Sequence, residues 1–211
     1  MKPLTTWIIA IVAIACVCWL FPLFHVAPLK LAVAEKLAET FNATSFAQTF
    51  WTNQLLASLN KTVKASVLLP AIATDPAAAK QKYAHTVGLS DGYFYFVSGS
   101  GRVVAVSDDE ISLMVTDGGT NIGVALQTGL VFGNALRDGT GLLNASDYPN
   151  SQDFNDISAA LNHLVETRVL PELHEQAKVG ANISFAGCVE VDDESSDLKP
   201  LKVIPIQTKA E

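Results

Sequence analysis

The chain has 211 residues, 49% of them apolar, and a formal net charge of −7. Lys2 is the only charged side chain before Lys30, so all 21 acidic residues and all but one of the 14 basic ones fall in the body, and a surface of that sign excludes nucleic acid and anionic lipid as main partners. Of the three cysteines, Cys16 and Cys18 lie in an apolar run and Cys188 stands alone, which excludes a disulfide framework and leaves packing to hold the fold.

Trp7 to Val26 (WIIAIVAIACVCWLFPLFHV) is a run of about 20 residues without formal charge, long enough to cross a bilayer as a helix. Behind the short basic start Met1-Lys2 it reads as a signal anchor over residues 1–28, with the N-terminus in the cytoplasm and the body translocated to the periplasm, single-pass in the inner membrane. Two other readings of the same stretch stand beside it. Ala13-Ile14-Ala15-Cys16 places a small residue before a cysteine, as lipidation at Cys16 requires, and Ala32-Val33-Ala34 has the small-x-small form of a cleavage site. Cys16 and Cys18, two apart, point to different sides of a helix and make no metal pair. Residues 29–40 are a linker, with Leu29 to Val33 able to form a short strand.

The body opens with a helical subdomain, residues 41–88. Phe46, Phe50, Leu55, Leu56, Leu59 and Val63 recur at mixed three- and four-residue steps and describe one stripe of a helix, broadened by Trp51. A second helix covers Lys64 to Ala73, and Asp75-Pro76 supplies an N-cap and a first-turn proline for a third, Ala77 to Tyr83.

Residues 89–211 change period. Tyr93 to Val97 and Arg102 to Val106 read as two strands of a hairpin turned at Ser98-Gly99-Ser100-Gly101. Glu110 to Thr116 and the stretch carrying Ile122, Val124 and Leu126 alternate around Asp117-Gly118-Gly119-Thr120 as a second hairpin, which Leu130 to Phe132 extends. Asp153 is the N-cap of a helix over 153–173 with Phe154, Ile157, Leu161, Leu164 and Val165 inward, bent or ended by Pro171. Ile183 to Val191 is a strand, Asp192 to Asp197 an acidic loop, and Lys202 to Ile206 a last strand that Pro205 places at an edge. The order predicts an α+β fold with a small, partly closed β-barrel.

No catalytic constellation is legible. The four histidines have no metal-ligand spacing, no serine sits in a Gly-x-Ser-x-Gly elbow, and neither glycine group forms a phosphate-binding fingerprint, so no cofactor or metal is expected. His163 and Glu166, three apart, face one another on a solvated helix, and Cys188 is expected in a buried strand. The most distinctive stretch is Gly129 to Asp138, an apolar run punctuated by glycines and closed by an Arg-Asp pair. Arg137 can fix a chain crossing, or it can offer a bidentate fork to a carboxylate or sugar hydroxyl, with Asp138 and Asn134 beside it as candidate binding residues.

Asp75 to Tyr83, Gly133-Asn134-Ala135-Leu136-Arg137-Asp138 and Phe154 to Asn162, taken in this order and spacing, resemble the bacterial family called predicted periplasmic lipoprotein, DUF2291, over roughly Phe41 to Ile206. The resemblance implies a helical part combined with an OB-like barrel, in genes often found beside sugar ABC-transporter components, and no established activity or catalytic residues. The expectation is a membrane-anchored periplasmic accessory or binding protein whose partners are transporter components or a small sugar. The competing classes are an envelope hydrolase using Asp138, Asp147 and Asp153, and an assembly partner that adds a strand at Val203 to Ile206.

Overall fold

The computed structural model describes residues 7, 41–86, 92–117, 120–144, 147–148 and 151–211. Asn42–Glu211 is one compact unit; Met1–Phe41 is another, and the expected membrane helix, the 29–40 linker and Cys16 lie outside the described residues. Among the described residues no helix is long and apolar enough to cross a membrane.

Helix α1 (Ala43–Phe50) is capped by Asn42, whose side chain accepts from the Ser45 amide at 2.9 Å. The predicted single helix over this region instead changes pitch twice without breaking: a π turn spans Trp51–Leu55 and a 3-10 turn Leu56–Lys61. The mixed spacing of the apolar residues has this cause, because the wide turn keeps Phe50 and Leu55, five residues apart, both buried where a regular helix would turn one of them away. Strand β1 (Val63–Lys64), α2 (Ala65–Thr74), α3 (Pro76–Tyr83) and β2 (Ala84–His85) follow. Asp75 caps α3 as its sequence predicts, accepting from the Ala78 amide at 3.0 Å.

The predicted hairpin at Ser98 to Gly101 does not exist; Tyr93–Val106 is one strand, β3, 14 residues long. Gly99 and Gly101 serve close approach rather than reversal. A Cβ on Gly99 would come within 2.8 Å of the Phe185 ring, and one on Gly101 within 2.9 Å of the Met114 carbonyl oxygen. Then come β4 (Glu110–Asp117), β5 (Thr120–Gln127), the short α4 (Ala135–Asp138), α5 (Ser151–Arg168), α6 (Leu170–Gln176), β6 (Asn182–Val191), the single turn α7 (Glu194–Asp197) and β7 (Leu201–Ala210). Helix α5 begins two residues before the predicted cap, so Asp153 sits in its first turn. Pro171 lies in the first turn of α6, where its missing amide costs nothing.

β3 pairs antiparallel with β4 through Arg102–Val106 and with β6 through Tyr93–Arg102. The order β3-β4-β5-β7-β6 returns to β3, and the ring is completed by a parallel link of three residue pairs, Val124 to Leu126 against Leu201 to Val203. This is the partly closed barrel that the order of elements predicts. Beyond Val203, β7 outruns β5, and Pro205 lies in that outrunning part, opposite Gly187 of β6; the strand is an edge only there.

The helical segment is fastened to the barrel by main-chain pairing. β1 runs parallel to β3 at Val97 and Ser98, and β2 antiparallel at Phe94 and Tyr95. Tyr93 to Val97 are all buried, which explains their continuous apolar character. Tyr93 and Tyr95 make an edge contact at 5.4 Å beneath α3 and α7: the Lys80 ammonium lies 3.9 Å from the Tyr93 ring centre, and the Tyr93 hydroxyl donates to Glu194 at 2.6 Å. Ile157, Leu161 and Val165 of α5 are fully buried, and α1 packs on the same helix.

Candidate functional site

The connection from β5 to α4 is held along its length. Thr128 and Gly129 donate their amides to the Asp109 carbonyl at 2.9 and 3.2 Å. The predicted strand extension over Leu130 to Phe132 finds no partner strand. Its alternation survives, however, with Val131 buried and Leu130 and Phe132 turned out to 77% and 73% exposure. The Val131 amide donates to Glu166 Oε1 at 3.1 Å, and the Gly133 carbonyl accepts from Asn162 Nδ2 at 3.1 Å. Gly133 has φ +83°, and a side chain there would meet Glu190 Oε2, which the Asn134 amide approaches at 3.3 Å. Ser158 donates to Asn134 Oδ1 at 3.0 Å.

Arg137 and Asp138 follow directly and are both buried. Arg137 Nε donates to Asp138 Oδ1 at 2.7 Å and Nη2 to Oδ2 at 2.8 Å, a two-point fork between chain neighbours. Nη1 donates to the Phe154 carbonyl at 3.2 Å and to Asn155 Oδ1 at 3.3 Å, and the guanidinium lies 3.7 Å from the Phe154 ring centre. Of the five N–H groups of a guanidinium, four are engaged by the protein itself. The pair therefore braces α4 against the start of α5 from beneath, and of the three candidate binding residues Asn134 lines a pocket.

Two pockets share Phe132 and Gly133. One, of about 360 Å³, lies between the loop and α5 and is lined by Asn134, Asn155, Ser158, Asn162 and Glu166 among others. The other, of about 660 Å³, carries Asp109, Glu190, Asp192 and Asp197 with Lys202 opposed to them and Leu130 on its rim. Burial raises the Glu190 carboxyl above its usual pKa against the opposing effect of the Asn134 amide. A third and larger groove, about 710 Å³, is lined by hydroxyls of Thr62, Ser98, Ser100 and Ser184 together with Lys64 and Lys209.

The remaining candidates are dispersed. Both Asp138 oxygens accept from Arg137 and the carboxylate is buried, while Asp147 is exposed and Asp153 lies in the first turn of α5. Cys188 is buried in β6, and burial pushes its thiol well above the usual range. His163 Nδ1 lies 3.7 Å from Glu166 Oε2 on the exposed side of α5. No group of three metal-ligating side chains occurs among the described residues. Ser158 and Asn162 were not legible as site residues. They occupy helix positions beside the apolar stripe, and nothing in their spacing says that a distant loop will hydrogen-bond to them.

Replacing Arg137 by Met should cost about 3–5 kcal/mol in urea denaturation, because Asp138 is left buried without its partner. The double variant Arg137→Met, Asp138→Leu should recover most of that loss; equal losses in both would mean that the ring contact with Phe154, not the ion pair, dominates. For Glu190, a raised folded-state pKa means that its contribution is fully present below the unfolded value and is lost as pH rises through the folded one. Glu190→Gln should therefore gain melting temperature over the parent at pH 7, with the gap closing as the pH falls below the normal glutamate range. A gap independent of pH would place the origin of the effect elsewhere.

No curated protein matches the chain. Among solved structures, an OB-fold protein from Thermotoga maritima matches with a TM-score of 0.71 and 26% identity, over 82% of this chain and 100% of that one. A ring of five strands in the order found here, closed by one parallel link, agrees with that architecture. The family model described as predicted periplasmic lipoprotein (DUF2291) matches residues 8–209. On a match covering nearly its whole length, the chain belongs to the DUF2291 family of predicted periplasmic lipoproteins.

Proposed function

We propose that the protein is a membrane-tethered periplasmic accessory or binding domain that works beside a sugar ABC transporter, docking on a membrane subunit through the loop of residues 129–134. The observation that carries this is the pairing of rigidity with exposure. Leu130 and Phe132 stand 77% and 73% exposed on a loop whose backbone is bonded to Asp109, Asn162, Glu166 and Glu190. Large apolar side chains presented on a fixed backbone lose little conformational freedom when covered, the property of a recognition loop. The family description supports the periplasmic compartment, and the charge-free run Trp7 to Val26 supports a retained helix as the tether. The link to sugar uptake rests on the gene context that family resemblance implies.

A photo-crosslinking residue at Leu130 of the full-length chain in native membranes should capture an integral subunit of a sugar ABC transporter, identified by mass spectrometry. Equal capture of the same subunit from Val104, an exposed valine on β3, would show no preference for the loop and overturn the docking reading. The tether is tested separately by labelling cells with radioactive palmitate. A retained helix predicts no incorporation, whereas label that disappears in Cys16→Ser would replace the helix by a lipid.

A further inference from the structure

One face of α5 carries Asn155, Ser158, Ala159, Asn162, His163 and Glu166, spaced three, four, seven, eight and eleven residues from the first, a continuous strip of the helix. This face forms one wall of the 360 Å³ pocket, and the loop of Val131 to Asn134 forms the other. Its size is at the small end of ligand pockets, which run from about 300 to 1,000 Å³.

The hydrogen-bond inventory of the wall is incomplete in a definite way. Asn134 and Asn155 are both held by their side-chain oxygens, which accept from Ser158 and Arg137, and neither NH₂ group has a partner among the described residues. Asn162 is the reverse case. Only 7% exposed, it donates Nδ2 to Gly133, while its Oδ1 is the one buried side-chain polar atom among the described residues with no partner. A buried acceptor left unpaired is costly, and this one belongs to a residue of the pocket wall. Glu166 contributes a further acceptor, and Ala159, exposed in the middle of the face, leaves room between the amides.

We propose that this pocket binds a neutral, hydroxyl-rich ring, a sugar, with Phe132 as its stacking face. The assignment rests on the binding reading above and names its ligand class. Hydroxyl groups donate and accept at once, which suits a wall that offers NH₂ donors beside the carboxylate of Glu166. No lysine or arginine lines the pocket and Glu166 does, so an anionic ligand is disfavoured. Phe132, exposed at the rim, offers the apolar ring against which the C–H face of a sugar can lie.

The test is calorimetric titration of the full-length protein in detergent with glucose, galactose, xylose, ribose and maltose, and with the phosphate esters of glucose and ribose. A neutral sugar should bind; Phe132→Ala should weaken it about tenfold, and Ala159→Trp, which fills the pocket from an exposed position, should abolish it. If none of these neutral sugars binds at millimolar concentration while the Leu130 crosslink persists, the ligand assignment fails and the docking reading stands. Sugar binding that survives both substitutions would move the site elsewhere and overturn the pocket assignment. A phosphate ester binding more tightly than its parent sugar would overturn the neutral class.

Discussion

The five-stranded ring closes through one strand that serves two neighbours along different parts of its length, and that strand is β3. Its first part is committed to β6 and its last part to β4, so it must be long and must bend between the two. Two glycines lie in the part paired with β6. Gly99 and Gly101 let the Phe185 ring and the β4 backbone come against the strand, and the register shift at Val103 to Ala105 adds local twist. Every other strand takes its place from this one, and the helical segment takes its place from the edge of β3 that β4 leaves open.

The second constraint acts at the opposite end of the β5–β6 crossover. An arginine and an aspartate adjacent in sequence usually diverge; in α4 they turn together and close on one another, with the guanidinium also laid on Phe154. A charge so far from water is tolerated because it is paired and hydrogen-bonded at nearly every donor. The result is that α4 and the first turn of α5 are tied together through Arg137. The loop leading into α4 inherits that fixity, and with it the outward placement of Leu130 and Phe132.

Much of this architecture is legible in the chain and some of it is not, for reasons that can be named. The alternation of Ile111, Leu113 and Val115 against Ile122, Val124 and Leu126 yields a hairpin because both strands have one face inward. Asp75-Pro76 yields a helix start because capping is local chemistry. Gly99 and Gly101 mislead because a glycine needed for close approach and a glycine needed for a turn look alike until the approaching Phe185 is known. Arg137 announces a distinctive feature without saying which, since the carbonyl it reaches belongs to a residue 17 positions away. The amide row on α5 is illegible for the same reason: its partners lie on a loop reached only through the tertiary fold.

The edge pairing of β1 and β2 on β3 also bears on how the chain behaves before it is complete. The helical segment precedes β3 and covers the backbone of Phe94 to Ser98, a run of aromatic and apolar residues that would otherwise be an open template for another strand. A chain emerging N-terminus first therefore carries the guard for its most adhesive strand before that strand appears. Its β6 partner arrives some 90 residues later, and during that interval the short strands stand between the nascent protein and self-association in a crowded envelope.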